Sequence, residues 1–528
     1  MTDVIIIGAG VNGLVAGGLL AKQKLSVILL DQQPLPGGAA MTTALAPGYL
    51  VPTLSHSLGP INRDVVRALR LDRVAGLEFL TPDPALTTLS ADGRALVFHR
   101  DDVLTAASIN PISAADAGRW IEFRRSLQRV AGLVARLDRR APPSMDAMTT
   151  RDWWRLAAVG QRARSLGRRD LARLLRWMPM SVADLTSEWF DTDVLRAAVA
   201  AHAIFGNPVG PRSAGTGAML VGRAAADQMP VGSGVTVKGG PGAIGAALAR
   251  IATGYGAQVR TDARVTRIVT RDGRAVSVVL ENGDELSARV IVAAMGAKEA
   301  LTRLVAPSEL PPTFRERVRH IRTRGVTAKV NLALDALPPF TALGGDSVPL
   351  GSRILIAPGL DYLERAFDAT KYGAMSEHPW LEVSIPSVGD PTLAPPGGHV
   401  MSIHAHFAPR HLRGTTWSAS RETLGASVMR VLESCAPLVT RHIVAREILT
   451  PEDLEARWGL SGGHIFHGES TLDQMWAARP LLGWSGYRTP IAALYLAGAG
   501  AHPGGGLTGL PGALASQVIR EDLKKRVV

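Results

Sequence analysis

The chain opens Asp3-Val-Ile-Ile-Ile-Gly8-Ala-Gly10-Val11-Asn12-Gly13, continues through an apolar stretch at 14–23, and reaches a second apolar run, 25–30, that ends at Asp31. Residues 4–7 lack the polar alternation of a strand with one wet face, so they predict a central parallel strand buried on both sides. Gly8 suits the tight turn after that strand. Gly10 leaves room for a pyrophosphate to approach the backbone, and Gly13 lets the following helix pack on the strand. Val11 and Asn12 begin that helix, whose unpaired N–H groups favour an anion. Asp31 closes the second strand, where a carboxylate accepts from a ribose hydroxyl. The glycines alone are a weak signal. Strand, helix and acid in register predict a Rossmann-like βαβ unit for a dinucleotide and an α/β fold.

Glycine recurs near the other end, in Ala497-Gly-Ala-Gly500-Ala-His502-Pro-Gly504-Gly-Gly506-Leu507-Thr508-Gly509. Glycine packs nothing and costs backbone entropy, so it is expected where backbone passes close to a turn, another segment or a bound cofactor. Residues 493–497 read as a strand leading into this stretch, and a helix follows from Gly509.

The 528 residues are too many for one core and predict more than one domain; 46% apolar and 20% charged residues fit a folded globular chain. Cys435 is the single cysteine, so no internal disulfide and no CxxC chemistry is available, which suits a reducing, cytoplasmic setting. Residues 4–21 are nearly free of charge, but their glycines and the missing basic leader favour strand, turn and helix over a targeting segment. The formal net charge is +12, most of its positive side from arginine. No helix-turn-helix, zinc spacing or aromatic–basic RNA motif accompanies it, which argues against nucleic acid. Residues 113–228 read as mostly helical. Within them Arg162, Arg164, Arg168, Arg169, Arg173 and Arg176 interleave with leucines, near Trp153, Trp154 and Trp177. This is either a solvated face over a core or an interfacial helix in weak contact with a membrane surface.

A second glycine cluster, Gly240-Pro-Gly242-Ala-Ile-Gly245, imitates the first, with Asp262 at a ribose-like distance. Its preceding strand, 235–238, is short and mixed. Turn signals at 271–274 and 281–284 separate strand patterns at 265–270, 275–280 and 286–294, which predict an antiparallel meander returning to a sheet. The cluster is therefore read as structural and not as a nicotinamide site. Runs at 328–333, 353–356, 381–385 and 399–404 predict a second sheet, and 418–436 a helix. His404 and His406 alternate on one strand; with no third ligand at metal spacing they are read as sheet surface, and no metal is expected. The chain thus leaves its nucleotide-binding domain and returns. Residues 1–60, 230–305 and 485–528 are assigned to that domain. Residues 61–229 and 306–484 are assigned to a discontinuous α+β substrate domain with its helical insert at 113–228.

Both glycine-rich ends resemble the phytoene desaturase-like branch of the FAD-dependent amine oxidase superfamily. So do Pro36-Gly-Gly-Ala-Ala-Met-Thr42, Trp458-Gly-Leu-Ser-Gly-Gly-His-Ile-Phe-His-Gly-Glu469, Leu472-Asp-Gln474, Arg479-Pro480 and Tyr487-Arg-Thr-Pro490. The likeness is greatest to a subgroup named for a pyridine nucleotide-disulfide oxidoreductase domain. It covers the whole chain and implies non-covalent FAD. It assigns cofactor contacts to Gly8, Gly10, Val11, Asn12, Gly13, Asp31, Gly38, Ala39, Ala40, Val265, Gly500, Leu507 and Thr508, and aims the last helix at the flavin's pyrimidine end. Ala39 stands where many relatives carry arginine, and Ala499-Gly500 where amine oxidases often place an acid.

The resemblance implies hydride transfer between a C–H of an apolar, isoprenoid or polyene substrate and flavin N5, as in desaturases, saturases or isomerases. Two other readings stay open: an oxidase of a small amine or alcohol, and a flavin-binding interaction protein without turnover. One cysteine rules out disulfide reduction. Without a nicotinamide site, electrons are expected to pass to oxygen, a quinone or another protein. His464, His467, Glu469 and His502 are the catalytic candidates, since the family places these segments near the flavin; the alternative is that they brace loops. Oligomeric state carries no sequence signal.

Overall fold

Thr2–Ile7 lies between two parallel neighbours, Val27–Leu30 and Glu285–Ala293, with Ile5 opposite both Ile28 and Ile291. Val4, Ile5 and Ile6 are wholly buried, as are Val290, Ile291 and Val292. The apolar run therefore forms a central strand because both of its faces are covered. The computed structural model describes residues 2–525 except 60, 75, 91, 144–147, 149, 346 and 347.

Gln258–Arg260 extends this sheet beyond Val27–Leu30. On the other side, Glu285–Ala293 serves two partners. Its first residues pair antiparallel with Arg274–Leu280, and its last pair in parallel with Leu494–Leu496. Val265–Arg271 completes the meander. Segments far apart in sequence thus share one sheet. Helix Val11–Ala21 packs on it, with Leu510–Lys524 and Gly242–Gly254 against that helix.

The glycines of the C-terminal stretch are now accounted for. A Cβ on Gly512 would sit 2.0 Å from the Asn12 carbonyl oxygen, and one on Gly498 2.0 Å from that of Met295. Close backbone approach, not chain flexibility, is what they supply. The internal cluster has a different use. A Cβ on Gly245 would lie 2.7 Å from the Gly37 Cα, and one on Gly242 2.8 Å from the Thr42 nitrogen. The preceding strand is only Thr236–Val237, paired antiparallel with Phe79–Leu80 outside the main sheet. This glycine cluster seats a helix on the loop at 36–42.

The second sheet has seven strands, in the order Ile443–Leu449, Thr327–Leu334, His399–His406, Trp380–Ser384, Arg353–Ile356, Leu86–Leu89 and Ala95–Phe98. Ala328, Val330, Leu332 and Leu334 pack with Trp417, Leu424, Val428 and Leu432 of helix Trp417–Glu433. Their alternate neighbours point the other way, because side chains change face at each residue. Register then aligns Lys329 with His404 and Glu382 across three strands, and Thr327 with His406 and Trp380. His404 and His406 are 6% and 0% exposed, which corrects the reading of them as sheet surface. The second residue of the pair is stacked on Trp380 at 3.8 Å.

Six helices of at least six residues fill 114–227, including Ala114–Asp138, Asp193–Ile204 and Thr216–Asp227. The arginine-rich face is only partly available. Arg169 pairs with Glu122 at 2.6 Å, Arg173 with Asp170 at 3.1 Å, and Arg176 with Glu188. Trp177 is buried, whereas Trp153 and Trp154 are 62% and 77% exposed. No helix among the described residues is long and apolar enough to cross a membrane.

The contact at Gly512 yields a test. Gly512→Ala is expected to destabilise the protein by ~3 kcal/mol, because backbone atoms cannot yield to a Cβ as a flexible side chain can. Chemical denaturation of the variant beside the parent measures this.

Candidate active site

A large cavity of about 790 Å³ runs from Gly8, Asn12 and Asp31 to Lys329, Glu382 and His404. It joins the nucleotide-binding sheet to the polar face of the second sheet.

At the first end, Asp31 Oδ2 accepts from the Ala9 N–H at 2.6 Å and Oδ1 from the Gln33 N–H at 2.8 Å. Burial pushes its carboxyl above the usual range, and the two backbone donors pull against that. Gly8 has φ +103°, and a Cβ there would meet the Ala294 oxygen at 2.9 Å; a Cβ on Gly38 would meet the Gly10 Cα at 3.0 Å. Bare backbone therefore faces the helix start, where Asn12 Oδ1 is buried without a partner. Val11, Ala39, Val265, Leu507 and Thr508 line the same cavity. Bare glycines, an orphaned amide oxygen, a helix N-terminus and an acid at the second strand fit an FAD dinucleotide. Gly13, Ala40 and Gly500 stand behind this wall. A Cβ on Gly13 would lie 2.0 Å from the Gly8 oxygen, Ala40 is fully buried, and Gly500 abuts Ala297.

The middle of the cavity is framed by 465–467 and 503–508. Arg479 fastens these segments. Its guanidinium donates to the carbonyls of Phe466, Gly468, Glu469, Gln474 and Ala499. Of the four catalytic candidates, His467 lines the cavity. Its φ is +57° and its Nδ1 has no partner. Burial, with Arg479 nearby, lowers its pKa to about 4, so the ring is neutral at pH 7. His464 accepts the Phe466 N–H at Nδ1, 3.1 Å away, and burial takes its pKa to about 3. His502 Nδ1 donates to the Trp476 carbonyl at 3.1 Å, and burial takes its pKa to about 4. Glu469 is fully buried between Arg322, at 3.2 Å, and Arg324, at 2.8 Å. His464, Glu469 and His502 lie behind the wall and brace the segments that form it. Tyr487 does the same, donating to the His502 carbonyl at 2.9 Å, and Arg488 pairs with Asp522 at 2.7 Å.

The far end is a buried polar network. Glu382 binds His56 at 2.9 Å with one oxygen and Arg353 at 2.7 Å with the other. Burial alone would raise the Glu382 carboxyl, yet Arg353 and His56 hold it well below the usual range. Lys329 Nζ donates to Ser402 Oγ at 2.5 Å and lies 3.3 Å from His56 Nδ1. Burial lowers that amine to about 7. Burial and the Lys329 charge take His56 to about 4. Arg223 donates to the Ala203 and Phe205 carbonyls and lies over the rings of Phe205 and Phe466, at 5.5 and 5.1 Å. His56, Glu382 and His404 come close enough for one ion. Glu382 has both oxygens engaged, His404 Nε2 is spent on the Leu54 carbonyl at 2.9 Å, and Lys329 and Arg353 stand beside them. The Arg353 cation beside Glu382, and the engagement of both its oxygens, disfavour a metal there.

Sequence reading missed this network. A lysine inside Thr327–Leu334 and a glutamate inside Trp380–Ser384, both otherwise largely apolar strands, were its visible signals. Nothing local distinguishes His56, His202 or Arg223.

Residues 12–516 match the family described as flavin containing amine oxidoreductase, and the chain belongs to that family. Two curated relatives align over nearly its full length. One, from Rattus norvegicus, is pyridine nucleotide-disulfide oxidoreductase domain-containing protein 2, 32% identical over 99% of this chain and 94% of its own. Another is the neurosporene-forming phytoene desaturase of Rhodobacter capsulatus, 26% identical over 98% of this chain and 94% of its own. A solved structure of putrescine oxidase shares the fold, with a TM-score of 0.63 at 14% identity over 99% of each chain. The protein is an FAD-dependent oxidoreductase.

Two outcomes are expected. Glu469→Ala removes the shared acid from between two arginines and is expected to cost ~3 kcal/mol by denaturation while FAD content holds. NADH and NADPH are expected not to bleach the flavin at catalytic rates, because Gly240, Gly242 and Gly245 are consumed by packing; stopped-flow absorbance decides this.

Proposed function

We propose that the protein oxidises or reduces a carbon–carbon unit on a largely apolar substrate, in the manner of a desaturase, saturase or isomerase. The observation that carries this is the apolar wall of Phe205, Met219, Phe466, Met475 and Trp476, which forms part of the same cavity as the nucleotide-binding residues. FAD supplies a hydride acceptor at N5 when bound. The chain's contribution is positional. The aromatic and methionine side chains hold the substrate body and exclude water. His467, which lines the cavity and is neutral at pH 7, is the candidate group to take a proton there. Related desaturases, named for their polyene products, support the apolar body. Electrons then pass to oxygen, a quinone or a protein, a reading supported by the packing of Gly240, Gly242 and Gly245 against 36–42.

The test is anaerobic mixing of the FAD-loaded protein with isoprenoid hydrocarbons, isoprenoid acids and alcohols, and small amines. Bleaching by an isoprenoid compound is expected. Bleaching by small amines alone would favour an amine oxidase, and bleaching by none would favour a binding protein without turnover.

We also propose that the protein works in the cytoplasm at an anionic membrane surface. Exposed Trp153, Trp154 and Leu156 share a helix with Arg162 and Arg164, and Arg168 begins the next. These three arginines have no carboxylate partner among the described residues, unlike Arg169, Arg173 and Arg176. Each free cation near such a surface is worth about 1 kcal/mol. Changing Arg162, Arg164 and Arg168 to glutamine is expected to reduce co-sedimentation with anionic vesicles at low salt and leave FAD content intact. Parent protein that ignores anionic and neutral vesicles alike would leave the arginines as a solvated face.

A further inference from the structure

The far end of the cavity holds a cation that no direct ion pair among the described residues neutralises. Arg223 has no carboxylate partner among the described residues. Its guanidinium donates to the Ala203 and Phe205 carbonyls, and it is flanked by the Phe205 and Phe466 rings. A guanidinium in a cavity wall, away from bulk water and without a counter-ion, is costly unless an anion arrives. Asp227 lines the same cavity; its Oδ2 accepts from the Ser233 N–H at 2.7 Å and its Oδ1 is unpartnered, and with Glu382 it favours the Arg223 cation without a direct ion pair. Glu382 is fully committed to His56 and Arg353.

Polar atoms around Arg223 also want a partner. His202 Nε2 and Arg353 Nε are orphaned, while His404, whose Nε2 donates to the Leu54 carbonyl, leaves Nδ1 as a free acceptor. All three residues line the cavity. His202 and Arg353 converge at Gly232, where a Cβ would come within 2.8 Å of the imidazole Cε1 and 2.9 Å of the guanidinium Nη2. Phe205 links the two ends of this arrangement. Its ring lies 5.3 Å from His404 and 6.3 Å from Phe466, the residue packed against Gly505. An apolar passage therefore leads from the glycine-rich C-terminal stretch into a pocket of unsatisfied polar groups. A pure hydrocarbon would leave every one of them unpaired, and an ammonium would meet Arg223, Arg353 and Lys329.

We propose that the substrate is amphipathic, with its apolar body against Phe205, Met219 and Phe466 and a terminal carboxylate held by Arg223 and hydrogen-bonded by His202 and Arg353. This rests on reading the cavity as the substrate chamber of the flavoenzyme. It narrows the substrate to acids and excludes both bare polyenes and amines. Charge-assisted hydrogen bonds to guanidinium are the strong kind, and a site built around them rejects neutral and cationic analogues.

The FAD-loaded full-length protein is titrated with decanoate, decanol and decylamine at one ionic strength, following the flavin absorption band and tryptophan fluorescence. Decanoate is expected to bind about tenfold or more tightly than either analogue. Arg223→Gln is expected to remove most of that preference while decanol affinity stays within about twofold, and Arg223→Lys to keep part of it. Bound FAD and melting temperature are measured on each variant. If the variants fail to fold, the parent series still decides. Equal affinity for the three probes, a preference for decylamine, or no binding of any overturns the proposal. Binding needs no turnover. Acid preference without bleaching by any substrate would sink the proposed reaction and leave this inference standing. Bleaching by hydrocarbons without acid preference would do the reverse.

Discussion

The contact between the backbone of Gly512 and the carbonyl of Asn12 is the constraint on which the rest of this molecule depends. It presses the last helix onto the first and so brings 504–508 beside the fingerprint at 8–13. Neither segment makes the cavity wall alone. A side chain at this crossing would force the helices apart, and the two halves of the cofactor site would separate with them. Glycine's cost in chain entropy is met by a site whose parts lie some five hundred residues apart in sequence.

A second constraint comes from strand register. Seven strands form a sheet whose one face packs on the helix Trp417–Glu433 and whose other face carries Lys329, His404, Glu382 and Arg353. Pairing alone sets that row, because side chains alternate faces and partners align across the ladder. Ionised groups brought together this way must satisfy one another, and Glu382 does so with His56 and Arg353. Burial holds the imidazoles neutral and brings Lys329 close to neutrality at pH 7.

Between these two constraints lies the cavity. The nucleotide sheet contributes bare backbone and an acid; the helices at 114–227 and the loop at 465–467 contribute aromatic surface; the second sheet contributes charge.

How much could be read from the chain follows from how local each signal is. The fingerprint at Gly8, Gly10, Gly13 and Asp31, the meander at 265–294, and the helical run at 113–228 all depend on neighbours close in sequence, and the structure has them where the residues predict. The structural use of Gly240–Gly245 was also legible, because its strand was too short to enter a parallel sheet. His404 and His406 were misread because alternation shows that two side chains share a face but not what covers it; only packing against Phe205 and Trp380 decides that. His464, Glu469 and His502 carry chemistry-bearing side chains near the cavity in sequence, but hydrogen bonding and ion pairing set them behind its wall. Arg223, His202 and His56 gave no signal, since what matters about them is a missing partner or a distant one. Sequence by itself determined the nucleotide fold, because it rests on short-range turn, strand and helix preferences, and its family resemblance implied the cofactor. Tertiary structure alone decided which charges are buried, which are neutralised and which face the cavity, because desolvation and pairing are properties of surroundings assembled from remote parts of the chain.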